Sequence, residues 1–301
     1  MSLVWVPFDP ADLEFPAGLV VREVHDADAA EGIEDVEVFV PAYDLAPDLS
    51  EVLPRMTSLR LLQMQTAGTE HVEPHVPPGV RLANARGVHD ASTAELAVAL
   101  ILASLRGVPD FVRAQARGQW SHGSRPALAD RRVVVIGAGS IAGALSRRLE
   151  PFECEVTLVG RSARTGVRAI ADLPALLPTA DVVVVLVPLS AQTAQLVDAE
   201  VLGAMPDGAL LVNIARGGVV DTDALLAETA SGRLLAALDV TDPEPLPPEH
   251  PLWTMPGVLI SPHVGGATTA MAPRVRRLVS DQLRRYATGE PLANLVEPGG
   301  S

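Results

Sequence analysis

The sequence predicts an α/β protein that contains two parallel sheets. Its length of 301 residues is enough for about two domains. Short β-branched segments alternate with helical segments along the chain, which is typical of this class. In the second half the strand segments are apolar throughout instead of alternating, as expected for strands that helices cover on both faces.

The first part of the chain is predicted to form a small open α/β unit. Its strands are expected at residues 3–7, 36–40, 60–65 and 80–83, with helical segments between them that include residues 49–56. A longer helix is predicted over residues 93–106, where Ser92 or Thr93 can cap its start and Glu95 lies in the first turn.

A second α/β series is predicted to follow the Gly-, Ser- and Pro-rich segment 118–126, which indicates a crossover. We interpret Trp120, within that segment, as a packing residue; the alternative is that it approaches the active site of a partner subunit. The strands of the second series are expected at residues 131–136, 155–159, 181–187, 209–214, 234–240 and 258–261. The last helix, residues 268–288, is amphipathic and Arg-rich and is expected to return the chain to the first unit.

Composition limits the classes of partner and compartment. The formal charge of −14 argues against nucleic acid or an anionic membrane as a partner. Cys154 is the only cysteine, which excludes an intrachain disulfide and CxxC metal sites and favours a cytoplasmic location. The N-terminal residues lack the basic region and long apolar core of a signal peptide, and the longest apolar run, residues 96–103, is too short to cross a bilayer.

A glycine-rich motif, Gly137-Ala138-Gly139-Ser140-Ile141-Ala142, follows a predicted strand and opens a predicted helix. In a dinucleotide site Gly137 would allow the tight turn, Gly139 would allow the backbone to approach a pyrophosphate, and Ala142 would allow close packing of helix and strand. The helix N-terminus, at Ser140 and Ile141, would face the phosphates. The motif therefore predicts dinucleotide binding, and the alternative is a glycine turn without a ligand.

The end of the next strand predicts which dinucleotide is preferred. An NAD site of this kind has an acidic residue about 20 positions after the fingerprint, whereas this chain has Arg161, Ser162 and Arg164 there. An arginine cannot accept hydrogen bonds from ribose hydroxyls but can pair with a 2′-phosphate. We therefore expect NADP(H) as the preferred cofactor. The alternative is that these residues are solvated and that NAD(H) is used as well.

Three polar side chains lie where later apolar strands give way to loops. Arg216 lies near the end of the segment LLVNIARG, Glu244 belongs to Asp-Pro-Glu, and His263 belongs to Ser-Pro-His-Val-Gly-Gly. The guanidinium can hold a carboxylate and polarise a carbonyl. The imidazole can transfer a hydroxyl proton, and the carboxylate can hold it protonated and oriented. Together they predict a site for a 2-oxo acid. The other histidines show no spacing typical of a metal site.

This order of motifs, with its flanking residues, resembles the D-isomer-specific 2-hydroxyacid dehydrogenase family. The resemblance implies two flavodoxin-like or Rossmann-like domains with the active site in the cleft between them. Residues 1–92 and 289–301 would bind substrate and residues 93–288 would bind the dinucleotide. Arg216 would bind the substrate carboxylate and carbonyl, and the His263–Glu244 pair would handle the proton. The resemblance also implies a homodimer, paired through the helix over 93–106.

Further site residues follow from the same resemblance. Asp239 matches the aspartate that contacts the nicotinamide carboxamide, and Gly265, in the histidine motif, is expected to bind the cofactor as well. Val187-Pro188 and Ile214-Ala215 match segments that line the nicotinamide and ribose. Thr66-Ala67-Gly68 matches the loop whose N–H groups hold the substrate carboxylate, although an ordinary glycine turn is the alternative. Tyr43 is expected to shorten the pocket, with Thr66 and Thr69 nearby.

The function expected from these residues is NADPH-dependent reduction of a short 2-oxo acid of the glyoxylate or hydroxypyruvate type to the D-2-hydroxy acid. The first-domain loop at residues 41–43 lacks the arginine of a phosphoglycerate-binding member. One alternative is a protein that senses NAD(P) without turnover, because fold alone does not determine function. Another is a dehydrogenase of an inorganic anion such as phosphite.

Overall fold

The computed structural model describes residues 1–44 and 48–296. The chain forms two compact units, one from Met1–His89 with the chain from Thr269 onward, and the other from Asp90–Thr268. The strands are β1 Ser2–Val6, β2 Leu19–Glu23, β3 Val36–Phe39, β4 Leu61–Gln63, β5 Arg81–Ala83, β6 Arg132–Ile136, β7 Glu155–Gly160, β8 Val167–Ala169, β9 Val182–Val185, β10 Leu210–Asn213, β11 Leu235–Leu238 and β12 Val258–Ile260. The α-helices are α1 Asp90–Arg106, α2 Val108–Ala116, α3 Ser140–Leu149, α4 Leu173–Leu176, α5 Ala199–Ala204, α6 Thr222–Ala230 and α7 Met271–Thr288.

The first unit is built on a five-stranded parallel sheet in the order β2-β1-β3-β4-β5. The predicted helix over 49–56 is wrong, because only a short 3₁₀ turn forms at Leu53–Arg55. Pro54 explains the difference, since its ring removes a backbone donor and clashes with the preceding helical turn.

Helix α7 packs on this first sheet. Val275, Val279 and Leu283 lie four residues apart on one helix face and join a buried cluster with residues of β1 and β3. The chain therefore returns to the first unit along α7, as predicted. The units divide at His89 and Thr268, whereas the predicted domain boundary placed residues up to 288 in the second unit.

The second unit is a seven-stranded parallel sheet in the order β12-β11-β10-β9-β6-β7-β8. Val182 and Val184 of β9 face one buried cluster, and Val183 and Val185 face another. Both faces of the sheet are thus covered, which confirms the interpretation of the continuously apolar strands. Helix α1 packs against α3 on one face and begins at Asp90, earlier than predicted.

The parallel order places the carboxyl ends of the strands at one edge of each sheet. In the second unit this edge carries the glycine motif after β6, Arg161 after β7, Arg216 after β10 and His263 after β12. Trp120 lies in the segment after α2 and is 94% exposed, so its interpretation as a packing residue is wrong. Within the described residues no single helix could span a membrane; only α1 and α2 taken together, bent by 65°, pass the same test.

Candidate active site

The structure brings His263 and Glu244 into direct contact. The imidazole Nδ1 lies 2.5 Å from Glu244 Oε1; the His263 side chain is partly buried and the Glu244 side chain is exposed. With Nδ1 engaged by the carboxylate, Nε2 is the ring nitrogen that can exchange a proton with a substrate. This contact is the pairing that the sequence motifs predict.

The loop that carries His263 is organised by Asp239. This carboxylate is 3% exposed and accepts hydrogen bonds from Ser261 Oγ at 2.6 Å, Val264 N at 3.0 Å and Gly265 N at 2.9 Å. Its backbone oxygen also accepts from His263 N at 2.7 Å. These bonds stabilise His263 at a φ of 52°, in the left-handed region that favours glycine. The family resemblance implied a contact of Asp239 with the cofactor but did not indicate this role in the loop.

Gly265 allows the same loop to lie close against the aspartate. A Cβ at this position would lie 3.0 Å from Asp239 Oδ2. An ionised carboxylate offers about four acceptor sites, and three are used by the protein groups above. Asp239 therefore retains capacity for one further donor, such as the carboxamide that the resemblance implies.

Arg216 follows a backbone turn that Asn213 stabilises. Asn213 is 1% exposed; its Oδ1 accepts from Ala215 N at 3.1 Å, and its Nδ2 donates to Arg216 O at 2.9 Å. The Arg216 guanidinium donates to Ala215 O at 2.7 Å. Sequence reasoning did not select Asn213. The signal available was a buried asparagine two residues before a predicted site alanine.

The loops that carry Arg216 and Glu244 touch at Gly217. A Cβ on Gly217 would lie 1.9 Å from Thr241 O, so only glycine allows the backbone before Glu244 to pass. The Glu244 loop is held from the other side by Thr222, whose hydroxyl donates to Asp242 O at 3.1 Å. In the Arg216-Gly217 pair, the glycine is thus required for packing and the arginine supplies the chemical group.

The glycine motif has the geometry that a dinucleotide requires. Gly137 adopts a φ of 122°, and a Cβ there would lie 2.6 Å from Leu186 O. Gly139, by contrast, has no atom within 4 Å of the position where a Cβ would be. Helix α3 begins at Ser140 beside this open space, and the N–H groups of a first helical turn lack intrahelical partners. These residues fit a pyrophosphate.

The end of β7 presents basic groups beside this motif. Arg161 and Ser162 are exposed, and Arg164 Nη2 donates to Ala138 O at 2.8 Å. The Arg164 guanidinium therefore lies against the glycine motif itself. A phosphate on the adenosine ribose would meet positive charge here, which suits NADP(H).

Two further predicted segments lie at the same sheet edge. Val187-Pro188 follows β9 and Ile214-Ala215 follows β10, and these two strands pair directly in parallel. Val187 and Ala215 pack on the same apolar cluster. The structure thus brings both segments together in the second unit, close in sequence to Arg216.

The predicted substrate loop lies in the first unit, after β4. Thr66 Oγ1 donates to Gly68 O at 2.7 Å, and Asn84 Nδ2 donates to Ala67 O at 3.0 Å. Tyr43 follows β3, the parallel neighbour of β4, so it lies at the same sheet edge. Thr69 is buried and donates to Glu73 Oε1 at 2.7 Å. The hydroxyls of Thr66 and Thr69 thus stabilise their own loop.

Comparison with known proteins adds independent evidence. The sequence model described as D-isomer specific 2-hydroxyacid dehydrogenase, NAD binding domain, matches residues 98–265. The chain is 32% identical to the glyoxylate reductase of Thermofilum pendens over 264 residues, which are 82% of this chain and 77% of that protein. It is 33% identical to the glyoxylate reductase/hydroxypyruvate reductase of Homo sapiens over 250 residues, 78% of this chain and 76% of that protein. An NADPH-dependent glyoxylate/hydroxypyruvate reductase from Sinorhizobium meliloti, solved with NADP and sulfate, matches with a TM-score of 0.82 and 28% identity, covering 100% of this chain and 99% of that one.

Proposed function

The chain belongs to the D-isomer specific 2-hydroxyacid dehydrogenase family, and we propose that it reduces a short 2-oxo acid to the D-2-hydroxy acid with NADPH. Membership makes it an NAD(P)-dependent oxidoreductase. The observation that carries the proposal is the 2.5 Å contact between His263 Nδ1 and Glu244 Oε1, in the same unit as Arg216 and the glycine motif.

Each residue of the site has one chemical task. Arg216 binds the substrate carboxylate and polarises the carbonyl through its planar donors. His263 donates a proton from Nε2 to the carbonyl oxygen, and Glu244 orients the ring and stabilises its charged form. A nicotinamide cofactor, which Gly137, Gly139 and the start of α3 would hold, would supply a hydride for the carbonyl carbon. Hydride at carbon and a proton at oxygen together give the hydroxy acid.

The preference for NADPH over NADH rests on Arg161, Ser162 and Arg164, where an acidic residue would suit NAD. The NADP bound to the Sinorhizobium relative supports it. The measurement is kcat/KM with each cofactor at a saturating 2-oxo acid. Equal kcat/KM values for the two cofactors would reject the preference, and the protein would then be an enzyme that uses either NAD(H) or NADP(H).

The proposed substrates are glyoxylate and hydroxypyruvate, because relatives that match more than three-quarters of this chain carry those names. The test ranks kcat/KM for glyoxylate, hydroxypyruvate, 2-oxoglutarate and phosphohydroxypyruvate at saturating NADPH. The two short acids are expected to lead, since Tyr43 and the loop over residues 41–43 carry no positive charge for a second anion. If none of the four acids leads to NADPH oxidation, the alternative of NAD(P) binding without turnover would be favoured.

We also propose a homodimer in the cytoplasm. Val108, Phe111, Val112 and Trp120 are exposed apolar residues on α2 and the segment after it, next to the predicted pairing helix α1. Val108, Phe111 and Val112 lie three and four residues apart on α2, so they share one face of that helix, and exposed apolar residues grouped in this way are typical of an interface. Light scattering should give twice the mass of one chain, and Val112→Glu should give the mass of one chain. Cell fractionation tests the location.

A further inference from the structure

The loop after β9 contains a threonine whose hydroxyl closes a turn. Thr193 Oγ1 donates to the backbone oxygen of Pro188 at 2.6 Å and accepts from Ser190 N at 2.8 Å. The backbone closes the same turn, because Thr193 N donates to Ser190 O at 3.1 Å. The contact with Pro188 depends on the side chain, so one hydroxyl links the end of the turn to the residue just before it.

The sheet order places Pro188 on the nicotinamide side of a dinucleotide site. Strand β6, with its glycine motif, lies between β9 and β7, and the strand order reverses at β6. A dinucleotide lies across the carboxyl ends of the strands at such a reversal. Arg161, after β7, suits the adenosine half, which leaves the loop after β9 for the nicotinamide half. This loop starts beside the glycine motif, because a Cβ on Gly137 would lie 2.6 Å from Leu186 O.

The same turn contacts the loop that follows Arg216. Two residues beyond Thr193, the backbone nitrogen of Gln195 donates to Gly218 O at 2.9 Å. At the start of the turn, the side chain of Leu189 lies 3.5 Å from the position that a Cβ on Gly218 would occupy. Gly218 is two residues after Arg216 in the sequence. The turn therefore connects the segment at Pro188 with the backbone close to the substrate-binding arginine.

We propose that Thr193 is a positioning residue for hydride transfer, because its hydroxyl fixes Pro188 at the nicotinamide half of the cofactor site. This inference rests on the proposed reductase function. Hydride transfer needs the reacting carbons to be held close together and aligned, and a small misplacement lowers the rate. Without the hydroxyl the turn keeps its backbone hydrogen bond, but Pro188 loses its restraint. Phosphate binding at the glycine motif does not depend on this contact.

The test removes the hydroxyl and keeps the branched shape of the side chain. Thr193→Val should lower the rate of hydride transfer by about 2- to 12-fold, the effect of one lost hydrogen bond. This rate is measured by rapid mixing of the NADPH complex with glyoxylate in a single turnover. The Kd for NADPH, from fluorescence titration, should stay near the native value. Thr193→Ser retains a hydroxyl and should restore most of the native rate.

Thr179→Val is the matched control. Thr179 precedes β9, at the opposite edge of the same sheet, and its hydroxyl donates to Leu176 O at 3.3 Å in a comparable turn, so this variant should keep the native rate. If Thr193→Val does not fold, Thr193→Ala supplies the same comparison with Thr193→Ser.

Two results would overturn the inference. One is a native single-turnover rate in the variant without the hydroxyl, and the other is a rate in Thr193→Ser as low as in that variant. Failure of the native protein to oxidise NADPH with any 2-oxo acid would instead overturn the proposed function.

Discussion

Replacing Asp239 by Asn tests whether the loop of His263 depends on this one carboxylate. In the native chain Oδ1 accepts from Ser261 Oγ and Val264 N, and Oδ2 accepts from Gly265 N. Asparagine keeps one acceptor oxygen and replaces the other by an NH₂ donor. In either orientation the new NH₂ faces a backbone N–H, so at least one charge-assisted bond is lost.

The size of the effect follows from that loss. A hydrogen bond to a charged group contributes about 1.5–3 kcal/mol. If this free energy is lost from the arrangement that holds His263 in place, kcat should fall about 10- to 150-fold. Ser261→Ala removes one of the three donors to the carboxylate and places no new donor against the backbone N–H groups, so kcat should fall less than in Asp239→Asn.

The assay is steady-state reduction of glyoxylate at varied NADPH, which separates kcat from the KM for NADPH. A native kcat in Asp239→Asn, with only the KM for NADPH raised, would refute the role in the His263 loop. It would leave Asp239 as a cofactor contact alone.

Three other predictions concern single side chains. The native protein should have a kcat/KM for NADPH roughly 10- to 150-fold above that for NADH, because a charge-assisted pair with the phosphate contributes about 1.5–3 kcal/mol. Arg161→Asp should lower this ratio or bring it below one. An unchanged ratio would contradict the role of Arg161 in cofactor preference. Arg216→Lys keeps the charge but loses the planar fork, so KM should rise and kcat should fall while NADPH affinity, measured by fluorescence titration, persists. Burial raises the pKa of the Cys154 thiol, so iodoacetamide should modify it at neutral pH much more slowly in the native protein than in the unfolded chain.

The sheet of the second unit could be predicted strand by strand, except β8. Segments such as Val182–Val185 are apolar at every position, and a short run of this kind is typical of a strand that is buried on both faces of a sheet. The edge strands β2 and β8 were missed, because they are short and partly exposed and end in or contain charged residues. The helix expected over 49–56 does not form, because Pro54 interrupts it and leaves only a 3₁₀ turn.

The residues of the site that could be predicted are those whose side chains have a recognisable chemical role in a sequence motif. Arg216, Glu244 and His263 follow their strands as the motifs indicated, and Glu244 meets His263. Asn213 and Gly217 were not selected, because their roles depend on backbone atoms that no spacing reveals. The role of Asp239 in the His263 loop depends on a turn that folds back over the end of β11, and the sequence does not indicate that turn.

The most direct test of the central claim is glyoxylate reduction by the native protein, His263→Ala and Glu244→Gln at varied NADPH. His263 is the proposed proton donor, so His263→Ala should lower kcat by about 10²- to 10⁴-fold with NADPH affinity retained. The Glu244 carboxylate contacts His263 Nδ1, and Glu244→Gln replaces this charged acceptor by a neutral amide, so kcat should fall in this variant too while NADPH affinity persists. A native kcat in either variant would contradict the proton-donor pair.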